Sequence, residues 1–184
     1  MAGCFIYRGR EEGDFQVSCY PTESHPIKIM TLLKLIHLLA ALIWVGGMFF
    51  AYVVLRPAAV EVLEPPQRLR LWDTVFRRFF IWVWVAVAVL LVSGFYMIYL
   101  YGGFTHVPGH VHAMLALGLA MMAIYGYVFF ACYRPFSAYV AAQRWKEAGA
   151  MLGKIRKLIA VNLTLGLLTV CVAVLGVASA LPDL

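Results

Sequence analysis

Four stretches of this chain, roughly 29–55, 79–101, 110–131 and 158–181, are apolar and each exceeds the about 20 residues a helix needs to cross a bilayer. No water is available inside a bilayer to satisfy open backbone groups, so such stretches must be helical. The chain is therefore expected to be all-α, an integral membrane four-helix bundle. Composition agrees: 64% of the 184 residues are hydrophobic and 13% charged, against about 45–50% and about 25% in soluble domains.

Residues 1–29 are polar and lack the apolar core of a secretory signal. They read as a flexible N-terminal extension to a transmembrane domain at 30–184, and Met30 is placed as an ordinary initiator would be. Arg56-Pro57 and Arg134-Pro135 are expected to end the first and third crossings. The segments Leu63 to Phe80 and Ala138 to Lys157 carry helical spacing of their own. Cys4, Cys19, Cys132 and Cys171 include no CxxC pair, which argues against a disulfide scaffold and a Cys-rich zinc site. Cys132 and Cys171 read as small buried hydrophobes.

The net charge of +6 carries a topology rather than a nucleic-acid partner. Arg56, Arg68, Arg70, Arg77, Arg78, Arg134, Arg144, Lys146, Lys154, Arg156 and Lys157 all fall in or beside the first and third connections, while the loop from Gly102 to Gly109 has no charge. The positive-inside rule makes the Arg-rich connections cytoplasmic, so both termini face outward, into the periplasm if the membrane is a bacterial inner membrane.

That topology gathers the histidines. His37 lies about two turns into the first crossing, and His110 and His112 in the first turn of the third, all near the outer face, with His106 in the loop beside them and His25 in the extension. An ionisable side chain inside a membrane helix is costly and marks a candidate site. Imidazoles on two helices suit the axial positions of a b-type haem, with His37 and the deeper His112 as the pair. Trp44, Gly46 and Gly47 beside the His37 face are suited to a planar group, or equally to close helix packing. Lys34, one turn outside His37, is placed to meet a haem propionate or an anionic substrate, or simply to anchor the helix at the interface. Copper is the other fitting chemistry, because imidazole with thioether selects Cu(I), and Met30, Met97 and Met114 lie at the same depth. Asn162 reads as interhelical glue, or as a donor to a quinone carbonyl. Tyr96, Tyr99, Tyr101 and Phe104 form an interfacial aromatic belt.

The runs Leu33-Lys34-Leu35-Ile36-His37 with Trp44-Val45-Gly46-Gly47, Gly109 to Gly118, Phe129 to Arg134 and Ile155 to Gly166 together resemble the copper-resistance D (CopD) family, over residues 30 to about 180. That resemblance implies a membrane protein of copper uptake or resistance. Lys34, His37, Trp44, Gly47 and His112 are more distantly similar to the HemJ-type protoporphyrinogen oxidases, which implies a b-type haem. The chain has Met114 where that family has a lysine, and apolar residues with Tyr125 where it has a late histidine.

The expectation from sequence is a metal site on the outer side. Its main form is haem b held by His37 and His112, carrying electrons between a quinone or small oxidant and a periplasmic partner. The alternative is copper handling by His37, His110 and His112 with Met97 and Met114. A third reading is an accessory subunit of a larger membrane complex, its histidines merely hydrogen-bonded.

Overall fold

The computed structural model describes residues 3–8, 15–20 and 24–179, with side chains from Lys28 to Ala178. Strands β1 (Gly3–Arg8) and β2 (Phe15–Tyr20) pair antiparallel, Gly3 opposite Tyr20 and Arg8 opposite Phe15. The segment read as a flexible extension thus contains a hairpin, in keeping with the aromatic and β-branched residues Phe5, Ile6, Tyr7, Phe15 and Val17.

From Ser24 onward everything regular is helical. Helix α1 (Ser24–Phe49) runs through a π-helical segment (Phe50–Leu55) into α2 (Arg56–Val62). Helix α3 (Pro65–Leu100) returns, and a loop over residues 101–108 leads to α4 (Gly109–Tyr127). A second π segment (Val128–Tyr133) joins α4 to α5 (Arg134–Ala141), and α6 (Trp145–Ser179) completes the bundle. These form four helices long and apolar enough to cross a membrane.

The helices run past the ends set by Arg-Pro. A proline lacks the N–H that would reach the carbonyl four residues back, and its ring collides with that carbonyl. Both helices answer by widening just before it: the Arg56 N–H donates to Ala51 O, and the Arg134 N–H to Phe129 O, each five residues back. The helix then continues through Pro57 and Pro135 instead of stopping. The helical spacing over 63–80 is likewise the first half of α3, which buries Leu69, Trp72 and Phe76.

Helix α1 packs chiefly on α3, and α4 chiefly on α6. The arginine-rich half is filled by aromatic rings: Phe76 stacks on Phe80 with centroids 5.3 Å apart, and Phe80 meets Tyr133 edge-on at 5.0 Å. Tyr125 donates its hydroxyl to the Phe80 carbonyl at 3.0 Å, which ties α4 to α3. The outer faces are the reverse of a soluble protein's, with Leu38 and Leu42 each 65% exposed and Val92 72%; such faces are solvated by lipid. Cys132 is buried, but Cys171 is exposed on the apolar outer face, contrary to the expectation that both are core residues.

Candidate metal-binding site

At the end of the bundle that holds the 101–108 loop, His37 is half-buried where α1 crosses α3. Its Nδ1 lies 2.8 Å from Ser93 Oγ. The Ser93 hydroxyl has one proton, and it goes to the Val89 carbonyl, 2.6 Å away, a bond typical of serine inside a membrane helix. With that proton so placed, Ser93 accepts from His37 in the tautomer that carries its proton on Nδ1, and in that tautomer Nε2 holds the lone pair that can meet a ligand. A metal-binding imidazole is commonly oriented this way, by a hydrogen bond at its other nitrogen.

Gly94 is the second half of this arrangement. A Cβ built on it would stand 3.4 Å from His37 Cε1, so the ring sits against α3 at this glycine. Sequence reasoning missed both residues. The signal was a Ser-Gly pair interrupting the apolar run of α3 about two turns from its end, the same depth as His37 in α1.

The other expected site residues are distributed as follows. Met97 is half-buried one turn beyond Ser93 on the same face of α3, and half-buried Met30 lies two turns outward of His37 on its face of α1. Lys34, between them, is exposed. His110 is half-buried on the other helix pair, packed so closely on α6 that a Cβ on Gly176 would come within 2.3 Å of its Cγ. Half-buried Met114 lies one turn further along α4. His112 is exposed, with the Phe104 ring 6.4 Å from its own. His106 fastens the loop: its Nδ1 lies 3.1 Å from the Gly102 carbonyl and 3.0 Å from Thr105 Oγ1. The chain turns at Gly102 and Gly103, whose φ angles of 91° and 97° favour glycine.

His37 and His110 are thus each engaged within a different helix pair. Among the described residues no three His, Cys, Asp or Glu side chains converge to hold a metal. Trp44 and Gly47 do not leave a slot. Trp44 is 2% exposed and set edge-on to Tyr125 at 6.1 Å. A Cβ on Gly47 would sit 2.3 Å from Phe79 Cε2, so the space is taken by a phenyl ring. The glycine serves close packing, the second of the two readings given for it.

Deeper in the bundle, buried Asn162 donates Nδ2 to Met48 Sδ at 3.7 Å, tying α6 to α1 as interhelical glue. Its Oδ1 has no hydrogen-bond partner, and it borders a cavity of about 20 Å³ with Trp44, Met48 and Tyr125.

The family model described as copper resistance protein D matches residues 73–176, from within α3 to near the end of α6. The chain belongs to the CopD family. The match includes Ser93, Gly94 and Met97, and supports an integral membrane protein associated with copper. It lends no support to haem, to electron transport or to HemJ-type similarity. No curated protein and no solved structure matches this CopD chain.

Proposed function

We propose that this CopD protein handles copper, binding Cu(I) at the end of the bundle that holds the 101–108 loop. The observation that carries the reading is the relay from His37 to Ser93 to Val89, which presents Nε2 as a donor. Met97 and Met30 supply soft sulfur at the neighbouring turns of the same two helices, and imidazole with thioether is a donor set that selects Cu(I). Copper is the cargo in this reading. By the positive-inside rule the Arg-rich end is cytoplasmic. His37 then opens toward the periplasm of a bacterial inner membrane, with Lys34 as an interface anchor beside it.

The haem reading is set aside, because the family points to copper. Electron transfer with a quinone goes with it. The test is competition between purified protein in detergent and a coloured Cu(I) chelator. Wild type should withdraw about one Cu(I) per chain, His37→Ala should not, and His106→Ala should behave as wild type. A wild type that leaves the chelator fully loaded, or a His37→Ala variant that competes equally well, refutes the proposal. A Soret band carried through purification and lost in His37→Ala would put iron there instead.

A further inference from the structure

At the opposite, arginine-rich end, α1–α2 and α6 flank an open pocket of about 360 Å³ lined by Tyr52, Arg56, Gly153, Arg156 and Lys157. Three of these side chains are cations. Arg156 is also within electrostatic reach of both Arg56 and Arg68. Among the described residues the ion pair is Arg144 with Glu147, out at the α5–α6 turn, and no carboxylate pairs with the pocket cations. Like charges held together repel unless an anion sits among them. The Arg56 guanidinium is steadied by the Tyr52 ring, 5.3 Å from its centroid, and the Arg156 guanidinium lies beside Gly153.

Depth identifies the anion. From Leu158 to Ser179, α6 carries no charge, and at 1.5 Å per residue that run is about 33 Å long, close to the thickness of the hydrocarbon core. Arg156 and Lys157 therefore stand at its edge. Arg56 closes the apolar run of α1 at the same edge. That edge is the level of lipid phosphates, and the pocket lies there between two membrane helices. Guanidinium groups bind phosphate oxygens by paired charge-assisted hydrogen bonds, and basic pockets between membrane helices are suited to anionic headgroups.

We propose that Arg56, Arg156 and Lys157 bind the phosphate of an anionic phospholipid. The site is separate from the copper reading and stands without it. Native mass spectrometry of the full chain in micelles, with phosphatidylglycerol or phosphatidylcholine added, tests it. Wild type should retain phosphatidylglycerol about ten-fold better than phosphatidylcholine, and the Arg56→Gln/Arg156→Gln pair should remove most of that preference. Should the double variant fail to fold, Lys157→Gln, at an exposed position, should lower retention about three-fold. Equal retention of the two lipids by wild type, or unchanged retention in the variants, overturns the proposal. Inorganic phosphate that displaces phosphatidylglycerol at equal concentration would overturn the lipid assignment and make free phosphate the ligand.

Discussion

Ser93 accepts a hydrogen bond from His37 Nδ1 at 2.8 Å while giving its own proton to the Val89 carbonyl at 2.6 Å. One hydroxyl thereby decides which nitrogen of a membrane histidine is free. Ser93→Ala should keep the fold but release the ring, and loss of such an outer-shell partner weakens metal affinity by about 10–100-fold. Chelator competition reads the effect directly. Ser93→Ala with unaltered Cu(I) affinity would show that the tautomer is irrelevant to binding.

Gly176 and His110 form a tight contact between α4 and α6. Gly176→Ala should cost about 1–3 kcal/mol, the usual range for overpacking. The double variant with His110→Ala should recover most of it, since the added methyl then has room. Unfolding of all four proteins in a detergent titration gives the coupling energy; a value near zero would mean the backbone moves aside instead.

Asn162 makes one bond, to a thioether, and leaves Oδ1 unpaired. Hydrogen bonds between membrane helices average only about 0.6 kcal/mol, and the partner left behind, the Met48 thioether, is a weak acceptor. Asn162→Leu, which keeps the branched outline of the side chain, should therefore change stability by less than about 1 kcal/mol. Asn162→Ala should lower it by about 1–3 kcal/mol by enlarging the cavity. The same unfolding titration measures both.

Orientation is open to a labelling experiment. In a cysteine-free background, Thr105→Cys should react with a membrane-impermeant maleimide in spheroplasts, and Gln143→Cys only after lysis. The opposite pattern would invert the periplasmic assignment of the His37 end.

Much of the bundle was legible because hydropathy is a local property. Four crossings could be counted from apolar length, and a CopD resemblance followed from Lys34 to Gly47 and Gly109 to Gly118. Misreadings arose where a residue's role depends on what lies opposite. Gly47 suits a slot or close packing alike until Phe79 is seen against it. Pro57 and Pro135 look like helix ends until the π segments before them absorb the lost hydrogen bonds. Cys171 looks like core until the rotation of α6 turns it outward.

By itself the sequence determined that this protein spans a membrane four times, with its histidines at one end and most of its arginines at the other, because transfer into lipid and charge placement sum along the chain. Only the tertiary structure decided which helices pair and how each is rotated, and so which side chains meet. Ser93 is 56 residues from His37. Whether a hydroxyl on one helix reaches an imidazole on another depends on packing across the bundle, to which no local pattern in either segment refers.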